Sequence, residues 1–223
     1  MKKILIFIFF ITFLSCKTEI KKVISRYENK QDKIVFYFEN KKDTLTYRKE
    51  VFYKSGKKNY VGYISNGKKD GMWIWWYENG VKKDQCKFEG GFYVDTVFHW
   101  YENGNIRQLE IVGKEKIRTD GCCVCNGTII RYYENGKIKE KFTSIDDKFQ
   151  GQYTFYEENG SWFMRTLKDD IKHGPTIEYI IDSVKTQKIT GQYENDKESG
   201  LWKWYDGKGK LTDSVLYKNG IVQ

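Results

Sequence analysis

The clearest structural signal in the sequence is the segment Gly71-Met72-Trp73-Ile74-Trp75-Trp76-Tyr77-Glu78-Asn79-Gly80. It is an aromatic, strand-like stretch that ends in an Asn-Gly pair, and such a pair between strand-like stretches is a strong hairpin signal. We expect a type I′ turn, in which the two central residues both have positive φ. The segment therefore predicts a β-strand followed by a hairpin turn that ends at Gly80.

The same turn recurs along the chain. Three close copies are Tyr101-Glu102-Asn103-Gly104, Tyr133-Glu134-Asn135-Gly136 and Glu157-Glu158-Asn159-Gly160, and looser copies close on Gly56, Ser183 and Gly209. The closing positions are 24, 24, 32, 24, 23 and 26 residues apart. Five units also have a glycine nine residues before the closing position, which we interpret as the start of a strand: Gly71, Gly127, Gly151, Gly174 and Gly200.

About 24 residues are enough for two strands and two turns. The repeat therefore predicts an all-β fold, an elongated array of antiparallel β-hairpins in a single-layer twisted sheet or solenoid. We divide the chain into a leader helix over 1–15, a polar tether with a capping strand over 16–45, and hairpin repeats over 46–223. The capping strand is expected over 33–38, and the long spacing indicates an insertion near 113–126.

Side chains alternate between the two faces of a strand, so columns of the repeat predict which face is interior. The position four residues before each closing residue is aromatic in all seven units: Phe52, Trp76, Trp100, Tyr132, Tyr156, Tyr179 and Tyr205. Two residues earlier, on the same face, stand Ile74, Phe98, Ile130, Thr154 and Ile177. We predict that these two columns form the interior.

The opposite face mixes aromatic and polar residues, a composition suited to recognition of a partner. Its candidate binding residues are Trp73, Trp75, Tyr77, His99, Tyr101, Arg131, Tyr133, Tyr153, Phe155, Trp202 and Trp204. The alternative is that these aromatic residues only widen the core.

The N-terminus has the features of an export signal. Lys2 and Lys3 precede an apolar run from Ile4 to Leu14, too short to span a bilayer, and Ser15-Cys16 follows it. This end resembles the lipobox of bacterial lipoproteins, although Phe13 stands where that motif usually has leucine. The resemblance implies lipidation at Cys16 and a cell-envelope location, on either side of an outer membrane. An ordinary secretory signal in which Cys16 has no role, or an uncleaved tether, is the alternative.

The repeat units themselves resemble the variant MORN repeat of bacterial proteins over roughly residues 45–220. The family implies a β-hairpin sheet that associates with proteins or membrane lipids, and it supplies no catalytic residues. Some family members are catalogued as antitoxin components, a role that fits poorly with an exported protein.

The remaining four cysteines leave three readings open. Cys122, Cys123 and Cys125 lie in the insertion, and Cys86 falls in a mostly apolar column. In an oxidising compartment these cysteines favour disulfides, with a metal site or free thiols as alternatives. Cys86 could equally be a small core residue.

Charge and motifs limit the function classes. The chain carries +9, of which Lys2 and Lys3 belong to the leader, so +7 remains after removal of the leader. The charges are spread evenly, which favours a solvated surface over a nucleic-acid site. No nucleophile, zinc or phosphate-loop motif accompanies His99 or His173. We therefore expect a binding scaffold for a protein or glycan, with no enzymatic activity, metal, cofactor, small-molecule substrate or nucleic-acid partner. Association with anionic lipid or glycan surfaces is the alternative, followed by an antitoxin-like or immunity role.

Overall fold

A computed structural model describes residues 19–112, 117–118 and 126–223. These residues form one antiparallel β-sheet of 19 strands, which confirms the predicted all-β hairpin array. The strands are β1 Ile20–Arg26, β2 Asp32–Phe38, β3 Thr46–Phe52, β4 Lys58–Ser65, β5 Lys68–Trp76, β6 Lys82–Glu89, β7 Phe92–Tyr93, β8 Val97–Trp100, β9 Ile106–Val112, β10 Ile117–Arg118, β11 Gly127–Tyr132, β12 Ile138–Ile145, β13 Lys148–Tyr156, β14 Trp162–Lys168, β15 Ile171–Ile181, β16 Thr186–Glu194, β17 Lys197–Asp206, β18 Leu211–Lys218 and β19 Ile221–Val222.

Each strand pairs with its neighbours in the chain, with one local exception. Strand β6 pairs first with the short β7 and then with β8, while β7 also pairs with β10 from the insertion. Strand β9 then pairs directly with β11, so the array continues past the insertion in register. The predicted leader and Cys16, as well as Cys122, Cys123 and Cys125, lie outside the described residues.

The array begins earlier in the chain than predicted. Strands β1 and β2 form a hairpin from Ile20, so the polar tether predicted up to the capping strand is wrong over most of its length. The turn between them is Tyr27-Glu28-Asn29-Lys30, a further copy of the repeat in which Lys30 replaces glycine at φ 67°. This unit was not predicted from the sequence because lysine, and not glycine, occupies its closing position.

The turns that carry the repeat motif are not type I′. Gly80 has a φ of 96°, but Asn79 does not have positive φ. The Tyr77 N–H donates to the Val81 carbonyl, and the Gly80 N–H donates to the Tyr77 carbonyl. This is a type I turn followed by a glycine bulge. The type I′ geometry occurs instead at the other edge of the array, where both turn residues have positive φ at 66–67, 90–91, 146–147, 169–170, 195–196 and 219–220.

Of the five glycines nine residues before a closing position, Gly127 starts a strand as predicted, at the first residue of β11. At the other four the prediction is wrong. In β5 the strand starts at Lys68, and Gly71 sits at φ 64° inside a bulge where Gly71, Met72 and Trp73 oppose Gly62 of β4. The same irregularity recurs at Gly151, Gly174 and Gly200, each with positive φ. Glycine tolerates that backbone conformation, and such bulges bend a strand and increase its twist.

The two faces of the sheet differ in burial. We call the side that carries Trp73 and Trp202 the packed face, and the side that carries Met72 and Trp76 the open face. Most of the buried residues of the described chain belong to the packed face: Val51, Trp73, Cys86, Phe88, Val97, Glu110, Ile129, Glu140, Phe142, Ser144, Thr176 and Trp202. The open face contributes Val35 and Glu50, near its N-terminal end.

The two columns predicted to form the interior lie on the open face, so this prediction is wrong. None of the seven aromatic residues from Phe52 to Tyr205 is fully buried, and Tyr156 is 38% exposed. Trp73 and Trp202, predicted as candidate binding residues of a partly exposed face, are 3% and 6% exposed, as the alternative of a wider core implied. Their burial comes from neighbours on the same face, because the Trp73 ring lies flat over Gly62 and contacts Tyr60, Trp75 and Phe88.

Candidate binding surfaces

The predicted binding residues in strands share the packed face, but they are unequally accessible. Register pairs connect Trp75, His99, Arg131, Phe155 and Trp204 into one cross-strand row, completed by Tyr60, Asp84, Gln108, Glu140, Phe163, Glu178 and Ile189. Trp75, Phe155 and Trp204 are half-buried, whereas Trp73 and Trp202 are buried beneath their neighbours. The latter two are core residues and are unavailable to a partner.

The centre of that row is a chain of polar contacts that begins at His99. Its Nδ1 lies 2.6 Å from Asp84 Oδ1, and its Nε2 lies 3.1 Å from Glu110 Oε1. Burial alone would lower the pKa of His99, but the hydrogen bonds and negative charges of the two carboxylates outweigh it and raise the pKa to about 9. At neutral pH the imidazole is a cation with both nitrogens donating, so it has no free lone pair for proton abstraction.

The chain continues through Arg131. The Arg131 Nε donates to Gln108 Oε1 at 2.8 Å, and the guanidinium also donates to Glu140 Oε1 at 2.7 Å. The Tyr153 hydroxyl donates to the other oxygen of Glu140 at 2.8 Å, and the Gln108 amide donates to Glu110. Burial, followed by the bond to Glu140, raises the pKa of Tyr153. The buried carboxylates of Glu110 and Glu140 are thus paired, as buried charges require.

Three further candidates, Tyr77, Tyr101 and Tyr133, connect successive units. Each hydroxyl donates to the backbone carbonyl of the aromatic residue at the end of the next unit's first strand, at 2.7–2.8 Å. Tyr27 and Tyr53 make the same bond, so the five acceptors are Phe52, Trp76, Trp100, Tyr132 and Tyr156. Sequence reasoning could not find this bond, because the turn motif alone does not show what its tyrosine reaches.

The motif asparagine has two roles in the same turns. Asn79 Oδ1 accepts from the Val81 N–H at 2.9 Å, which stabilises its own turn, and Asn79 Nδ2 donates to the Glu102 carbonyl of the next turn at 3.2 Å. Asn103 repeats both contacts with Asn105 and Glu134. Successive turns are therefore bonded to one another along the edge of the sheet, which fixes the spacing between units.

The open face presents a different surface. Its aromatic side chains are partly exposed and form a row with one ring on every second strand: Trp76, Trp100, Tyr132, Tyr156, Tyr179 and Tyr205. Lysine ammonium groups lie over three of the rings, with Lys58 5.9 Å from the Trp76 centroid, Lys82 5.7 Å from Trp100 and Lys188 5.8 Å from Tyr205.

The cysteine prediction is testable only at Cys86, which the structure describes as a free thiol. It is buried between Trp73 and Val97, as the small-core-residue reading proposed. Burial raises the pKa of the Cys86 thiol to about 12, so the thiol is protonated and is a poor nucleophile or metal ligand. Within the described residues, no group of acidic, histidine and cysteine side chains is arranged to hold a metal ion.

These features define the class of the protein: a hairpin-repeat sheet whose successive turns are connected by side-chain hydrogen bonds. The sequence profile described as MORN repeat variant matches residues 69–89, 126–146 and 198–219, so the chain contains repeats of this type. No curated protein matches the chain. In the part of the chain that the structure describes, no helix is both long and apolar enough to cross a membrane.

Proposed function

We propose that this chain is a non-enzymatic scaffold of the cell envelope, held by a lipid on Cys16, that binds a protein or polysaccharide partner through its open face. The observation that carries the proposal is a set of apolar side chains that remain 41–50% exposed along that face: Tyr63, Met72, Ile111, Leu201 and Leu216. Repeated exposed apolar side chains on one surface are typical of an interaction site.

The hydrogen bonds that connect successive turns support a scaffold role. Tyrosine and asparagine bonds connect successive units along one edge, and backbone bonds such as Gly91 N–H to the Lys69 carbonyl connect them along the other. A sheet held at both edges presents its surface residues in a fixed arrangement. Such preorganisation improves affinity because less conformational entropy is lost on binding.

The environments of His99 and Cys86 support a role without catalysis. The first is held as a cation between two carboxylates, and the second is a buried, protonated thiol. Histidine and cysteine are side chains that commonly supply a base or a nucleophile, and neither of these two is in the form that such chemistry needs.

The binding proposal is tested by capture of partners from envelope extracts with the purified chain. We expect Met72→Lys/Leu201→Lys to lose the partner, because both substitutions place charge on the open face. Val184→Lys is the matched control, since Val184 is an exposed apolar residue of a turn, 90% accessible. Equal recovery by the wild type and the open-face variant, with intact folding, would rule out this surface.

The anchor is tested by labelling with a fatty acid in the producing cell. We expect incorporation in the wild type and none in Cys16→Ala. Cys86→Ala serves as the control, because the thiol it removes is buried. Label that persists in Cys16→Ala would contradict lipidation at this residue. An envelope location would also set the protein apart from cytoplasmic antitoxins.

Direct association with anionic lipid or glycan surfaces is a second candidate, favoured by lysines on the open face. Lys82, Lys87, Lys141, Lys188 and Lys203 all belong to it. Because exposed charges are screened, such binding should weaken steeply with salt. Binding to anionic vesicles that is unchanged between low and high salt would remove this candidate.

A further inference from the structure

The row of rings on the open face has the periodicity of an extended polymer. Cross-strand register places the rings from Trp76 to Tyr205 on alternate strands, so they recur about every 10 Å along a track of roughly 50 Å. Tyr156, Trp162 and Tyr179 continue the track without a gap, with ring centroids 6.4 Å and 6.3 Å apart. Protein hot spots instead cluster near the centre of an interface.

Charges of both signs lie beside the track. Lys58, Lys82 and Lys188 lie over rings, as described above. An exposed glutamate follows each of the first four rings by two residues, in the adjacent turn: Glu78, Glu102, Glu134 and Glu158. The track therefore has hydrogen-bond donors and carboxylate acceptors beside its rings, and an uncharged ligand rich in hydroxyls can bond to both.

We propose that the track binds an uncharged polysaccharide, with sugar rings stacked on the aromatic side chains. The apolar face of a pyranose ring matches a flat aromatic surface. Its hydroxyls can accept hydrogen bonds from the lysine ammonium groups and donate to the glutamates, and hydroxyls do both. A chain of sugars presents one ring per strand spacing, so alternate sugars meet the aromatic column. The inference rests on the proposed function and names the class of its partner.

The test uses the full processed chain with soluble neutral polymers: a β-glucan, an α-glucan, a mannan and a chitin oligomer. Alginate and phosphatidylglycerol vesicles provide the anionic arms. We expect at least one neutral polymer to bind and to quench tryptophan fluorescence, with affinity unchanged between low and high salt. We expect Trp76→Ala/Trp100→Ala to weaken this binding about tenfold or more, a loss of at least about 1.4 kcal/mol.

Two controls keep the outcome interpretable. Trp75→Ala/Trp204→Ala removes two rings from the packed face and should leave the affinity unchanged. If Trp76→Ala/Trp100→Ala does not fold, Lys188→Gln/Tyr205→Ala removes the opposite end of the track. Equal binding by the open-face variants, binding of the anionic arms alone, or binding of none of the neutral polymers would each overturn the inference. Capture of a protein partner that depends on Met72 and Leu201, without polysaccharide binding, would overturn the inference and leave the proposed function standing.

Discussion

Trp73 and Trp76 belong to the same strand and differ in almost every physical respect. Trp73 is 3% exposed, its ring lies over Gly62, and its Nε1 donates to the Tyr63 carbonyl at 3.1 Å. Trp76 is only partly buried, on the other face, with Lys58 above its ring. A regular column of aromatic residues therefore indicates a periodic surface and does not by itself indicate burial. In a single-layer sheet, side chains of one face must cover each other.

The largest difference between the faces should appear on truncation of these two rings. We expect Trp73→Ala to cost about 3–5 kcal/mol of unfolding free energy, as for other buried tryptophans. Trp76→Ala should cost less than about 2 kcal/mol, because less apolar area is withdrawn from water. Urea unfolding followed by circular dichroism measures both costs, and equal costs would mean that the two rings are equally buried.

The polar chain of the packed face should make stability depend on pH. Because folding raises the pKa of His99 from 6.5 to about 9, its contribution is complete below pH 6.5, declines as pH rises, and is lost above pH 9. We expect a loss on the order of 3 kcal/mol between pH 6 and pH 9.5 in urea unfolding. His99→Gln should lack this drop, and an identical pH profile for both proteins would show that His99 is not responsible.

The Trp73 ring packs directly against the backbone at Gly62. A Cβ at Gly62 would lie 2.1 Å from the Trp73 ring, so Gly62→Ala should cost about 1–3 kcal/mol through overpacking. Adding Trp73→Leu should remove most of that cost, since the clash disappears. A double-mutant cycle measures the coupling, and additive effects would mean that the two residues do not meet.

The smallest change in stability is expected at the edge of the sheet that carries the Asn-Gly turns. Tyr77→Phe removes the hydroxyl bond to the Trp100 carbonyl and should cost about 1 kcal/mol. Tyr63→Phe is the control, because its ring is 45% exposed on the open face. A larger effect at Tyr63 than at Tyr77 would mean that the hydrogen bond from Tyr77 to the Trp100 carbonyl does not stabilise the fold.

Much of the fold followed from the sequence because the turn motif and strand alternation are local signals. The Asn-Gly turns and the aromatic column sufficed to predict antiparallel hairpins in register. Three features depended on tertiary structure instead. The packed face is the one on which rings such as Trp73 lie over glycine. Gly71 lies at a bulge with positive φ, and Lys30 occupies a turn position that is glycine in most other units.

The candidate site was less predictable than the fold. Alternation placed Trp75, His99 and Arg131 on one face, as the structure confirms. It could not show that His99 and Arg131 satisfy neighbouring carboxylates, or that Trp73 and Trp202 are covered. Those properties depend on side chains of neighbouring strands, 9 to 23 residues away for the His99 and Arg131 bonds, and the repeat motif does not specify them.

Hydroxyl-radical footprinting of the native chain measures whether the sheet has one packed and one open face. Met72 and Trp73 are adjacent in sequence, 41% and 3% exposed, and on opposite faces. With rates normalised to the unfolded chain, we expect Met72, Leu201 and Leu216 to be labelled readily while Trp73 and Trp202 are strongly protected. Protection of Met72 and Leu201 together with rapid labelling of Trp73 and Trp202 would mean that the packed and open faces are the reverse of those described.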